Sequence, residues 1–170
     1  MKESTIKFSI FITILISLLI VTPRAHAQSV NFTGTWKRNN EKSNAGNYSL
    51  NSIPASVTIV QDAQHISIKR TSITSSGIVK SFIESIPLNG DSTKNEGLEK
   101  LIRTTAAKWG SDKRTLLIGS TSKDADGVLK QTSHQAFTLS ADGKVLTIIA
   151  HPNYQDGLGE QTFTEVFDKQ

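Results

Sequence analysis

The sequence predicts an antiparallel all-β fold, and three observations support that prediction. From residue 51 onward, short runs rich in β-branched residues are separated by turn residues, and apolar and polar side chains alternate within the runs. After residue 27, no stretch repeats apolar residues at the period of a helix. The 170 residues, of which 36% are hydrophobic, are enough for one packed domain.

The alternation predicts about nine strands in chain order. The run 55–61 places Ala55, Val57 and Ile59 on one face, and in the next run Ile66 and Ile68 alternate with polar residues. The polar segment 87–97 is predicted to be a loop, with a turn at Asn89-Gly90. The predicted strands are 35–38, 55–61, 65–71, 78–86, 98–109, 114–121, 128–139, 145–151 and 162–168.

The clearest hairpin surrounds Asp142-Gly143. An Asp-Gly pair is typical of a two-residue turn in which both central residues have positive φ. Because side chains alternate along each strand, this turn sets which residues face each other across the hairpin. The predicted pairs are Leu139 with Leu146, Phe137 with Ile148, and His134 with His151, the histidines on the solvent side.

A meander of this length closes most naturally into an up-and-down barrel of about eight to ten strands, because closure removes exposed strand edges. A two-sheet β-sandwich is the alternative. The sequence pattern does not distinguish the two.

The first 27 residues have the pattern of a secretory signal peptide. A short charged start precedes the apolar run 8–21, and Ala25-His26-Ala27 places small residues where signal peptidase reads them. As a helix the run would span roughly 21 Å, short of the ~30 Å hydrocarbon core of a membrane. We therefore expect cleavage near Ala27, a single domain over 28–170, and a secreted or periplasmic protein with no membrane span in the mature chain.

Charge and cysteine content exclude several classes of function. Cleavage would remove Lys2, Glu3, Lys7 and Arg24, which lowers the formal charge from +4 to +2. The remaining basic residues are scattered among acidic ones, so the sequence does not predict a nucleic-acid-binding surface. There is no cysteine, which excludes disulfides, thiolate catalysis and cysteine-ligated metal centres.

The segment Phe32-Thr33-Gly34-Thr35-Trp36-Lys37 resembles the opening of the calycin superfamily, which includes lipocalins, fatty-acid-binding proteins and avidins. Segments 107–110 and 139–144 are similar to those of small secreted bacterial lipocalin-like proteins, so the resemblance covers most of 31–170. It implies a barrel whose floor is closed by Trp36, because a large indole fills space that smaller side chains leave open.

The chain departs from its relatives at the carboxylate-binding motif. Fatty-acid-binding proteins end in a motif like Thr-Arg-Val-Tyr, whose Arg and Tyr hold the ligand carboxylate. The matching segment here is Thr164-Glu165-Val166-Phe167, which lacks both groups. The Thr-Asp-x-x-Tyr motif of typical lipocalins is also missing. The resemblance therefore supports a fold and leaves the ligand open.

Arg103 is the most informative candidate for binding. It shares a face with Trp109, so it points inward if Trp109 belongs to the core. A buried cation needs a partner, which would be a carboxylate across the barrel or an anionic ligand. If the face is wrong by one residue, Arg103 is solvated instead. The predicted ligand-binding residues are Trp36, Arg103 and Trp109.

Metal and catalytic motifs are weak. His134 and His151 could hold zinc, but a stable site needs a third or fourth ligand. Asp124-Ala125-Asp126-Gly127 resembles part of a calcium loop, but Gln135 stands where the terminal Glu is needed, so we predict a polar hairpin tip. We find no Gly-x-Ser-x-Gly or His-Glu-x-x-His motif. We expect no metal and no cofactor.

These features favour an exported lipocalin-like protein that binds a small, partly apolar molecule and performs no catalysis. One alternative is an interaction protein whose barrel is filled by its own side chains and whose outer face binds a macromolecule. The low aromatic content of 6% favours this alternative somewhat, because ligand cavities often have aromatic walls. A weaker alternative is an enzyme that uses the open end of the barrel.

Overall fold

The computed structural model describes residues 30–170, so the predicted signal peptide lies outside the described residues. Within this range the chain forms ten strands. They are β1 Gly34–Arg38, β2 Ser56–Gln61, β3 His65–Ile73, β4 Val79–Pro87, β5 Ser92–Glu96, β6 Ile102–Trp109, β7 Leu116–Lys123, β8 Leu129–Leu139, β9 Val145–Tyr154 and β10 Phe163–Lys169. Two short 3-10 helices, Leu50–Ser52 and Leu98–Lys100, lie in the connections.

All ten strands belong to one antiparallel sheet, in the order β4-β3-β2-β1-β10-β9-β8-β7-β6-β5. Pairing of the first strand with the last curls the sheet into a nearly closed barrel, and β4 and β5 are left as facing edges. At this seam the backbone N–H of Ser85 donates to Oδ1 of Asn95 at 3.1 Å in place of a strand ladder. The predicted all-β barrel is confirmed, and the sandwich alternative is wrong.

The segment predicted as a loop contains a strand. Residues 92–96 form β5 and pair with β6, with Asn95 opposite Arg103. The five residues are all polar, so they show no alternation of apolar and polar side chains that would predict a strand. The predicted strand 98–109 begins later, at Ile102, because Glu99 and Lys100 adopt positive φ in the 3-10 turn before it.

The β8–β9 hairpin has the predicted register and a different turn. Leu139 lies opposite Leu146, Phe137 opposite Ile148, and His134 opposite His151. The turn is closed by Gly143 N–H donating to Ser140 O at 2.9 Å, and Gly143 has φ +68° whereas Asp142 does not have positive φ. Asp142 contributes through its side chain, which accepts hydrogen bonds from Ser140 Oγ and Lys144 N.

One half of the barrel interior is filled by apolar side chains. Trp36 is fully buried in this layer, and its indole Nε1–H donates to Phe32 O at 3.0 Å. The ring of Phe32 stacks on Trp109, with centroids 6.0 Å apart. The fully buried large residues include Trp36, Phe32, Phe137, Phe167, Ile53, Ile59, Ile66, Ile68, Ile86, Leu116, Ile118, Leu146 and Ile148. We call this half the apolar layer.

The glycine of the Gly-x-Trp motif leaves room for its neighbours. A Cβ at Gly34 would lie 3.2 Å from Lys169 Cε and 3.4 Å from the Trp36 ring. The ammonium group of Lys169 lies 5.3 Å from the Trp36 ring centroid, within reach of a cation–π interaction. A glycine two residues before Trp36 thus leaves space for the indole ring and for the Lys169 side chain beside it.

Candidate functional site

In the other half of the barrel interior, next to the apolar layer, the inward-facing residues of the same strands are polar. On β3, Arg70 follows Ile66 and Ile68 at the period of a strand, and on β4 Glu84 precedes Ile86. Opposite them lie further buried polar side chains from other strands. Among residues 30–170, the buried polar residues are Arg70, Glu84, Arg103, Thr105, Ser120, Ser122, Ser133 and Glu165. The interior therefore has a filled apolar half and a polar half.

Glu84 is the centre of the polar half. Its carboxylate has no solvent exposure and lies between two arginines. One oxygen contacts Arg70 Nη1, and the other lies 2.7 Å from Arg103 Nε and accepts a hydrogen bond from Thr105 Oγ1 at 3.0 Å. Burial by itself would raise the pKa of Glu84, but Arg70 and Arg103 hold that pKa below its usual value. Glu84 is therefore an anion at neutral pH.

The two arginines retain donors beyond those that Glu84 uses. Arg70 Nη2 donates to Gln135 Oε1 at 3.0 Å, and Arg103 Nη1 makes only a long contact of 3.5 Å with Ser122 Oγ. Arg103 Nη2 has no hydrogen-bond partner among residues 30–170. Since a buried guanidinium gains from having its donors paired, Arg103 is open to a further acceptor.

Glu165 on β10 faces the same space and is unpaired. The residue is 5% exposed, and within residues 30–170 its carboxyl accepts no hydrogen bond and forms no ion pair. Burial raises the pKa of Glu165 to about 7, against the opposing charges of Arg70, Arg103 and Arg38. Near neutral pH this carboxyl is thus poised between its protonated and ionised forms.

The two arginines and Glu165 line a cavity of about 280 Å³ inside the barrel. Arg70, Arg103 and Glu165 form its polar side, together with Gln131, Gln135 and Tyr154. Its apolar walls are Phe82, Leu98, Leu101, Ala150, Pro152 and Phe163. The cavity could hold a small molecule that has a polar group at one end and an apolar body, with its size near the lower end of known ligand sites.

A second hollow of about 550 Å³ adjoins the cavity and shares Ser52, Ser72, Leu98 and Tyr154 with it. At its edge the hydroxyl of Tyr48 donates to Asp156 Oδ2 at 2.5 Å, and the rings of Tyr48 and Tyr154 lie 5.3 Å apart. The hydrogen bond to Asp156 raises the pKa of Tyr48 to about 12. The hollow gives the cavity a route to solvent with aromatic and polar walls.

The three residues predicted from sequence to bind a ligand are divided between the two halves. Arg103 is 8% exposed and lines the cavity, so the inward face predicted for it is confirmed. Its partner is the buried carboxylate of Glu84, across the seam between β4 and β5; a carboxylate was one of the two expected partners. Trp36 and Trp109 lie in and against the apolar layer and do not line the cavity.

Several residues of the cavity were not identified from sequence. The sequence pattern does not single out Arg70 or Glu84, and Glu165 stands out only because it replaces a cation of the fatty-acid-binding motif. A charged residue at an inward position of an alternating strand is the signal that could have found the first two. Which inward charges meet depends on the register between strands and on closure of the barrel, which alternation within single strands does not specify.

The histidine pair lies on the outer face of the barrel. His134 and His151 border a hollow of about 500 Å³ whose floor and walls include Gly119, Leu117 and Ala136. His151 Nδ1 lies 3.3 Å from Thr162 Oγ1. In the described part of the chain no three His, Asp or Glu residues come together as a metal site would require.

The segment that resembles part of a calcium loop is a hairpin tip, as predicted. Asp124 Oδ1 accepts hydrogen bonds from the backbone N–H groups of Asp126 and Val128, and Asp124 Oδ2 lies 2.9 Å from Lys130 Nζ. The Asp124 carboxylate therefore stabilises the turn. These contacts account for the Asp-x-Asp-Gly pattern without a metal.

Comparison with known protein families and with curated proteins finds no match to this chain. Over residues 30–170, no helix has the length and apolar character needed to cross a membrane.

Proposed function

We propose that this protein binds a small, partly apolar molecule in the 280 Å³ cavity inside its barrel. The observation that carries the proposal is the division of the interior into a filled apolar layer and a polar cavity with apolar walls. A barrel that served only as a scaffold would gain stability by filling this space with apolar side chains. Instead the chain keeps two buried arginines, two buried glutamates and open volume there.

Each part of the cavity has a role in this proposal. Phe82, Leu98, Leu101 and Phe163 supply the contacts for an apolar body, and Arg103 supplies hydrogen-bond donors for a polar group. Trp36 supports the site from below as part of the apolar layer. The resemblance to small secreted lipocalin-like proteins supports this role. The proposal therefore includes a lipocalin-like identity and export after cleavage near Ala27.

Native mass spectrometry of the protein purified from its own host tests the proposal. We expect a co-purifying small molecule, and we expect thermal shifts with members of a lipid and metabolite panel. The test variant is Ala150→Leu, which adds volume inside the cavity. The matched control is Ala136→Leu, which adds the same volume on the outer face of β8. Only the inner variant should lose the bound mass, with circular dichroism showing that both variants are folded.

The competing function is binding of another macromolecule at the outer face. The feature that favours it is the outer hollow of about 500 Å³, which is lined mainly by small and apolar side chains and flanked by His134 and His151. If the purified protein carries no small molecule, shows no thermal shift with the panel, and loses a protein partner on Ala136→Arg substitution, this function replaces the first.

A further inference from the structure

The cavity combines an arginine with an unused donor and a glutamate with no partner. Arg103 presents a free Nη2, and Glu165 is buried and accepts no hydrogen bond within residues 30–170. A buried carboxyl without a partner is costly when ionised, so Glu165 favours its neutral form or a partner supplied from the cavity. Both groups border the same 280 Å³ of open space.

We propose that the cavity takes up its ligand as an anion together with one proton, the anion lying between the guanidinium of Arg103 and the protonated carboxyl of Glu165. This inference rests on the proposed function and names the ligand class of that site: a small organic acid with a single negative charge and an apolar body. The proton comes from solvent and remains on Glu165, and no covalent bond forms or breaks.

The charges around the cavity favour an anion over a cation. The charged and titratable groups near Glu165 are Arg38, Arg70, Arg103 and Tyr154, and Glu99 also lines the cavity. Glu84 already neutralises one of the two inner arginines, and Glu99 forms an ion pair with Lys80 at 3.3 Å near the exit. When Glu165 is protonated, one inner arginine is left without a counter-charge, which one bound anion supplies.

Protonation also changes what Glu165 can offer a ligand. The ionised carboxylate is acceptor-only and repels an anion, whereas the neutral carboxyl can donate an O–H hydrogen bond to it. Because burial raises the pKa of Glu165 to about 7, the change takes place in the neutral range. Anion binding should therefore be strong below pH 7 and weaken above it.

Calorimetric titration with three matched probes tests the proposal: octanoate, its neutral amide octanamide, and octylamine. Above pH 7, we expect the affinity for octanoate to fall about tenfold per pH unit. We expect Glu165→Gln to bind octanoate with little pH dependence, because the amide donates a hydrogen bond at every pH. The exposed Glu41→Gln variant should behave as the wild type.

A second measurement needs no variant. Titrations of the wild type in buffers with different ionisation enthalpies count the protons taken up with octanoate, and at pH 8 we expect close to one. The proposal is overturned if octanamide binds as well as octanoate at every pH, or if octylamine is preferred; in either case a small-molecule cavity still stands. If no probe binds and purification yields no bound molecule, the proposed function fails as well.

Discussion

Glu84 on β4 and Arg103 on β6 are joined by a 2.7 Å contact between Oε2 and Nε, inside the barrel and across the seam between β4 and β5. The backbone ladder is interrupted at this seam, and Thr105 on β6 adds a second hydrogen bond to the same oxygen. Since Arg70 on β3 contacts the other oxygen, one carboxylate connects three strands. The polar network is therefore both the wall of the cavity and the side-chain closure of the barrel.

This arrangement predicts that Glu84→Gln is strongly destabilising. Removing the negative charge takes away the shared ion-pair partner of the buried Arg70 and Arg103, and breaking a buried ion pair costs about 3–5 kcal/mol. Urea unfolding monitored by circular dichroism measures the loss. Glu99→Gln, which affects the exposed pair with Lys80, should leave the unfolding midpoint close to that of the wild type. Equal effects of the two changes would contradict the role given to Glu84.

Glu165 predicts a pH dependence of stability with a defined sign. Its pKa is about 7 in the folded protein and 4.5 is the usual value, so between these pH values the folded state keeps a proton that the unfolded state releases. The free energy of unfolding should therefore fall as pH rises through this window, by about 3 kcal/mol in all. Unfolding free energies of wild type and Glu165→Gln should converge near pH 4.5 and diverge by pH 8; parallel curves would refute the prediction.

The apolar layer predicts unequal roles for the two tryptophans. Trp36 is fully buried, so Trp36→Ala should cost about 3–5 kcal/mol of unfolding free energy. Trp109 is only partly buried against Phe32, so Trp109→Ala should cost less. Thermal and urea unfolding of both variants measure the difference. A larger loss for Trp109 would mean that the floor of the barrel is formed differently.

The β8–β9 turn predicts that Gly143→Ala is destabilising for backbone reasons alone. Gly143 has φ +68° and no atom near the position of an added Cβ, so the expected cost is the left-handed conformation itself, about 1–2 kcal/mol. Gly119→Ala is the matched control, because its Cβ would make only an ordinary contact of 3.7 Å with His134 Nδ1. If Gly143→Ala and Gly119→Ala shift the unfolding midpoint by the same amount, the left-handed turn conformation is not the cause of the loss of stability.

The histidine pair predicts weak zinc binding. His134 and His151 face each other, but no third His, Asp or Glu joins them within residues 30–170, and two ligands do not make a stable zinc site. Zinc titration should give an affinity that His134→Ala changes little. Tight binding that disappears in this variant would establish a metal site on the outer face.

The sequence by itself determined the architecture and much of the register. Period-two alternation predicts strands, and it also predicts the inward face of Arg103 and the pairs from Leu139–Leu146 to His134–His151, because each depends only on neighbours along one or two strands. The same reasoning failed at β5, where five polar residues carry no alternation; the strand is held by pairing with β6 and by the hydrogen bond from Ser85 N–H to Asn95 Oδ1 across the seam.

Only the tertiary structure decided what the interior does. Glu84, Arg70 and Arg103 lie on three different strands, and Glu165 lies on a fourth, so their meeting depends on the register between strands and on closure of the barrel. Alternation within single strands does not encode that register. Closure of the barrel pairs Glu84 with two arginines, leaves Glu165 unpaired and leaves open volume beside them. The proposed binding site follows from these three features.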